Sequence, residues 1–110
     1  MKKVNAFELT KNKKLFLLDM DGTVYHGDIP IQGATNFIKS LCRTGADYIF
    51  MTNNSSKSAD AYLEKLHRLG FPAEKKNILT SGQTAAVFLR EKKENAAVYV
   101  MGCASLRRVI

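Results

Sequence analysis

Two short apolar runs, each ending abruptly on small polar residues, constrain this chain more than any other feature. Leu15-Phe16-Leu17-Leu18 stops at Asp19, and Tyr48-Ile49-Phe50-Met51 stops at Thr52. An unbroken apolar run leaves no side for solvent, so the first run predicts a strand buried on both faces. Between the runs, Ala34, Phe37, Ile38, Leu41 and Cys42 recur at helical spacing. They predict an amphipathic helix over Ala34–Thr44, ended by Gly45. Strand, helix and strand in that order call for a right-handed crossover and a parallel pair.

The pattern repeats downstream. Ala59, Tyr62, Leu63, Leu66 and Leu69 form a second helical stripe over 59–69, with Ser56 or Ser58 to cap its start and Gly70 and Pro72 to stop it. Residues 78–80 read as a third short strand, 83–92 as a helix, 97–101 as a strand and 105–110 as the opening of another helix. Gly22, Gly27 and Pro30 punctuate a turn and short hairpin after the first strand. The fold class expected is α/β: a Rossmann-like three-layer α/β/α arrangement around a mainly parallel sheet. Ligands in such sheets bind beyond the carboxyl ends of the strands, and both polar clusters sit at such ends.

The first cluster is Asp19-Met20-Asp21-Gly22-Thr23. Asp19 and Asp21 lie two positions apart where a strand gives out, so their side chains share a side. Two close carboxylates are costly unless a cation or proton compensates them, and Mg²⁺ takes oxygen ligands of this kind. Gly22 lets the backbone come close to a ligand. A plain strand-ending turn would explain Asp-Gly, but it explains the second acid at the tip of an apolar run less well. The second cluster is Thr52-Asn53-Asn54-Ser55-Ser56, whose hydroxyls, amides and backbone N–H groups can cradle an anion. A helix cap alone needs only one or two such residues. His26 could touch a substrate but is equally at home in an exposed loop. His67 receives no role, and Asp28 reads as a turn residue.

The bulk numbers bound the remaining classes. The chain has 110 residues, enough for one small domain with little margin for its core. The net charge of +7 raises nucleic-acid binding as an option. Its lysines and arginines are scattered, however, and no reader motif accompanies them, so solvated surface is the expectation. Asn5, Glu8 and Lys11 interrupt any apolar leader, and no run is long enough to span a membrane. Cys42 and Cys103 form no metal or C-x-x-C spacing. Cys42, on the helix stripe, is expected to be a small buried thiol. Unpaired thiols fit a reducing, cytoplasmic setting. No P-loop pattern occurs.

Leu17-Leu18-Asp19-Met20-Asp21-Gly22-Thr23-Val24 resembles the first motif of the haloacid dehalogenase-like superfamily. Met51-Thr52-Asn53-Asn54-Ser55-Ser56 resembles its second motif in the form used by the NagD/4-nitrophenylphosphatase branch. Tyr25-His26-Gly27-Asp28, Ile31-Gln32-Gly33-Ala34, Thr80-Ser81-Gly82 and Val98-Tyr99-Val100-Met101-Gly102 also look like that branch. The resemblance implies a Mg²⁺-dependent phosphatase of small phosphorylated metabolites, such as a sugar phosphate or a nucleotide. Asp19 would be the nucleophile and Asp21 the acid/base, with both holding the metal. Thr52, Asn53 and Gly22 would hold phosphate. Residues 1–82 would be the first half of the core. Residues 83–110 would open an inserted α/β cap, through which a complete protein could pair with a second copy.

The family pattern further implies a phosphate-neutralising lysine and a later acidic pair, and nothing in these residues matches either. Lys75-Lys76 and Lys92-Lys93 lack a strand-end setting. A second expectation therefore stands beside the first: a catalytically incomplete fragment that binds metal or phosphate weakly, or has only a structural role.

Overall fold

The computed structural model describes residues 10–110; Lys2, Lys3, Asn5 and Glu8 of the charge and leader expectations lie outside them. Strand β1 (Leu15–Asp19) leads through a turn into a hairpin of β2 (Tyr25–His26) and β3 (Ile29–Pro30). Helix α1 (Ala34–Thr44) follows, then β4 (Asp47–Thr52), α2 (Ala59–Arg68), a 3₁₀ turn at Lys75–Asn77 and β5 (Ile78–Thr80). Helices α3 (Ser81–Lys92) and α4 (Ala104–Val109) complete the order.

Local signals end the helices where the residue pattern predicts. Gly45 closes α1 in the left-handed region at φ 75°, and the Ala46 N–H reaches back to the Leu41 carbonyl at 3.1 Å. Ser58, not Ser56, caps α2: its Oγ accepts from the Ala61 N–H at 3.2 Å. Thr80 opens α3 with a capping box, its hydroxyl accepting from the Gln83 N–H at 3.1 Å while Gln83 Oε1 accepts from the Thr80 N–H at 2.9 Å.

The sheet has the order β1-β4-β5, all parallel. Leu15 pairs with Asp47 and Asp19 with Met51, while Thr52 pairs with Thr80. Because the order advances in one direction, two right-handed crossovers put α1 and α2 on the same face. That face carries the core: Tyr48, Phe50 and Ile78 from the sheet, Ile38 and Leu41 from α1, Tyr62 and Leu66 from α2, and Phe71. Phe50 has no exposed surface and meets the rings of Tyr48 and Phe71 edge-on, at centroid distances of 5.8 and 6.1 Å.

Three expectations change. β1 is not buried on both faces: Leu15 is 53% and Leu17 60% exposed, while Phe16 and Leu18 pack on the core. No described element covers the side from which Leu15 and Leu17 project. Residues 97–101 form no strand. Their alternation is strand-like, but they have no neighbour to pair with, and Tyr99 and Met101 face solvent. Cys42 is exposed instead of buried, at the edge of the α1 stripe, with its Sγ 3.4 Å from the Tyr48 hydroxyl.

Candidate functional site

The register of β1 on β4 brings the two polar clusters together. Asp19 ends β1 opposite Met51, one residue before Thr52. An open cleft of about 460 Å³ lies at this end of the sheet. Asp19, Thr52, Asn53, Thr80, Ser81 and Thr84 supply its polar lining, and Leu17, Met51 and Leu79 its apolar floor. Of the residues singled out from sequence, Asp19, Thr52 and Asn53 meet in this cleft. Asp21 and Gly22 do not line it; they occupy the turn that leaves β1, and both are exposed.

That turn is held by its backbone. The Gly22 N–H donates to the Tyr25 carbonyl at 2.8 Å, and the N–H groups of Thr23 and Val24 both donate to the Met20 carbonyl at 3.0 Å. Gly22 sits at φ 81°, where an L side chain is strained. Met20, between the two acids, is wholly buried and anchors the turn to the core. His26 is exposed in the hairpin, and its Cε1 stands 3.9 Å from where a Cβ on residue 22 would be. Asp28 is indeed at the hairpin turn, ion-paired to Arg68 at 3.0 Å.

The second cluster is prearranged by hydrogen bonds. Thr52 is 8% exposed; its Oγ1 accepts from the Asn54 N–H at 3.1 Å and donates to the Tyr62 hydroxyl at 3.4 Å. Asn54 Oδ1 accepts from the Ser56 N–H at 2.9 Å, a local turn that fixes the loop. Ser81 Oγ donates to the Asn53 carbonyl at 3.2 Å and ties this loop to the start of α3.

Sequence reasoning missed several participants. Thr80 and Ser81 line the cleft because β5 pairs with β4; nothing local in the sequence tells which neighbours they meet. Tyr62, on the stripe of α2, and Tyr25, in the hairpin, are both 1% exposed, and the Tyr62 hydroxyl meets Thr52 Oγ1 at 3.4 Å. Burial, then the charges of Asp21, Tyr62 and Asp19, pushes the Tyr25 phenol up to about 12. No local pattern distinguishes such a hydroxyl from ordinary core.

Among the described residues no group of three or more His, Cys, Asp and Glu side chains gathers into a metal site. The chemistry of the donors present still suits Mg²⁺ in part, since that ion is commonly held by one or two carboxylates together with water and phosphate oxygens. No lysine lines the cleft. Lys75 pairs with Asp60 at 3.2 Å, Lys76 with Glu74 at 3.5 Å, and the Lys92 ammonium stands 5.4 Å from the Phe88 ring centroid. No helix among the described residues is long and apolar enough to cross a membrane.

The profile of the haloacid dehalogenase-like hydrolases matches residues 16–110. The 5′-nucleotidase YutF of Bacillus subtilis is 35% identical over 100 residues, covering 91% of this chain and 39% of that protein. An acid sugar phosphatase of Staphylococcus saprophyticus is 35% identical with the same coverage. Among solved structures, a 4-nitrophenylphosphatase from Thermotoga maritima superposes with a TM-score of 0.84 at 32% identity, over 88% of this chain and 37% of that one. A structure described as a putative nagD protein does so with a TM-score of 0.84 at 32% identity, over 88% and 38%. The chain thus spans about two-fifths of the length of these relatives. The profile match takes in nearly all the described residues and both polar clusters, and on that ground the chain belongs to the haloacid dehalogenase-like hydrolases.

Proposed function

We propose that these residues belong to a Mg²⁺-dependent phosphate monoester hydrolase of small phosphorylated metabolites. The observation that carries the reading is the β1–β4 register, which sets Asp19 beside Thr52 and Asn53 at one sheet end. One Asp19 carboxylate oxygen attacks phosphorus as the ester P–O bond breaks, leaving an aspartyl-phosphate. Asp21 gives its proton to the departing oxygen, then takes one from the water that attacks the same phosphorus. Inorganic phosphate leaves and the Asp19 carboxylate is restored. Thr52, the Asn53 backbone and Gly22 hold phosphate oxygens. Asp19 and Asp21 would hold the metal, which supplies positive charge to offset repulsion between nucleophile and phosphate.

The names of the relatives support nucleotides and sugar phosphates as the substrate class. In this reading residues 1–82 are the first half of the catalytic core and 83–110 open a cap, since β5 is the last strand to join the sheet among the described residues. Self-association runs through that cap in a complete protein. The free thiols of Cys42 and Cys103 support a cytoplasmic setting.

A second reading rests on the cleft itself, which holds no lysine and one carboxylate. Losing one electrostatic partner of the transition state costs about 10²–10³ in kcat. The 110-residue chain alone then binds metal and phosphate weakly and turns over slowly, or serves only structurally. Hydrolysis of 4-nitrophenyl phosphate with Mg²⁺, by the chain and by its Asp19→Asn variant, tests both. Residual turnover that vanishes in Asp19→Asn supports the phosphatase reading, and undiminished turnover in Asp19→Asn sinks it. Rapid Asp19-dependent turnover by the chain alone refutes the incomplete-fragment reading.

A further inference from the structure

The β4–β5 ladder ends at the pair Thr52–Thr80, so the carbonyl of Asn53 lies past the last paired strand residue. Ser81 meets it there: its Oγ donates to the Asn53 carbonyl at 3.2 Å. That carbonyl and the Asn54 N–H belong to one planar peptide unit. The N–H end donates to Thr52 Oγ1 at 3.1 Å, and Thr52 Oγ1 donates in turn to the hydroxyl of the buried Tyr62 at 3.4 Å. The peptide is therefore held at both ends, from the core through Thr52 and from α3 through Ser81. A plane held at both ends cannot flip, so the backbone angles on either side of it are set. Ser81 is itself held, because Thr80 and Gln83 close a capping box around the start of α3, at 3.1 and 2.9 Å. That box already caps the helix, so α3 has no need of the Ser81 hydroxyl. The hydroxyl serves the loop instead, and Ser81, Thr52 and Asn53 line the same cleft.

We propose that Ser81 is a positioning residue whose hydroxyl locks the Asn53–Asn54 peptide and so presets this loop for a phosphate group. The inference rests on the reading of Thr52 and Asn53 as phosphate-holding residues. Hydrogen-bond donors serve an anion best when binding requires no rearrangement of them. Residues 53–56 are exposed. Without a tether from another element, such a segment would lose conformational freedom at each binding event. Ser81 supplies that tether from α3 before any ligand arrives. Alanine keeps the Cβ but removes the donor, and threonine keeps the donor.

The test uses the 110-residue chain labelled with ¹³C and ¹⁵N, read by NMR at neutral pH with Mg²⁺, and inorganic phosphate as the probe. Without phosphate, Ser81→Ala is expected to move the Asn53 carbonyl carbon and the Asn54 amide while the carbonyl carbons of α1 stay in place. Phosphate, titrated against the amides of Thr52 and Asn53, is expected to bind about twofold to tenfold more weakly in Ser81→Ala, the scale of one hydrogen bond. Ser81→Thr is expected to keep the wild-type affinity. An unmoved Asn53 carbonyl in folded Ser81→Ala, or an unchanged phosphate affinity, overturns the proposal. So does an affinity that falls as far in Ser81→Thr. If Ser81→Ala does not fold, Ser81→Cys, close in size and a weak donor, takes its place under the same criteria. Phosphate that shifts neither amide in the wild-type chain sinks the phosphate-holding reading and this inference with it. Turnover of 4-nitrophenyl phosphate that survives Asp19→Asn sinks the phosphatase reading alone and leaves the role of Ser81 standing.

Discussion

Replacing Gly22 by alanine separates backbone strain from crowding at the turn that leaves β1. Gly22 sits at φ 81°, and holding an L residue in the left-handed region costs about 1–2 kcal/mol. Crowding adds nothing, because the nearest heavy atom to the new Cβ is His26 Cε1 at 3.9 Å, an ordinary van der Waals distance. Alanine also stiffens the unfolded chain, which returns about 0.4–1 kcal/mol. The net expectation is a loss of about 1 kcal/mol, a noticeable share of the 5–15 kcal/mol typical of a domain. Urea unfolding followed by far-UV circular dichroism would measure it as a lower midpoint at unchanged slope. Gly22→Asn gives the contrast. Asparagine tolerates the left-handed region better, so strain predicts that it is the milder change although it is the larger side chain. If asparagine proves more damaging than alanine, crowding against His26 governs and the reasoning fails. If alanine matches the wild type, the turn does not hold its positive φ in solution.

Phe50→Ala should lose about 3–5 kcal/mol, because the ring is fully buried and meets Tyr48 and Phe71 edge-on; chemical denaturation with a loss under about 1.5 kcal/mol would show that this core is not packed as described. Alkali should destabilise the fold. The Tyr25 phenol is raised from 10.0 to about 12, so its contribution is fully present below pH 10 and is lost as pH rises toward 12. Tyr48 is raised too, by burial and by its contact with Cys42, and acts in the same direction. Urea midpoints measured from pH 9 upward should fall, and more shallowly in Tyr25→Phe. Arg68→Ala should change stability by less than about 1 kcal/mol, because its pair with Asp28 is 59% and 78% exposed; a double-mutant cycle with Asp28→Ala checks it.

Elements that carry a short-range signal are legible in the residues themselves. Helix α1 follows from five apolar residues at helical spacing and a glycine after the last turn. The short strand expected over 78–80 forms as β5. Residues 97–101 carry a strand's alternation but form none, because a strand exists only with a neighbour. The thiol of Cys42 lies on the right stripe but at its edge, and a helical wheel cannot say where burial stops. The candidate site divides the same way. Asp19, Thr52 and Asn53 announce themselves as polar residues at the ends of apolar runs. Thr80 and Ser81 reach the cleft only through the pairing of β5 with β4.

The residues alone determined the alternation of strand and helix, the parallel crossovers and the two strand-end clusters, because each depends on spacing along a few turns of chain. Tertiary structure decided which clusters meet, which face of β1 is covered, and that Asp21 stands apart from the cleft with a buried phenol beneath its turn. Those outcomes depend on register and on which surfaces face one another, and the distances involved are set by packing between elements far apart in sequence.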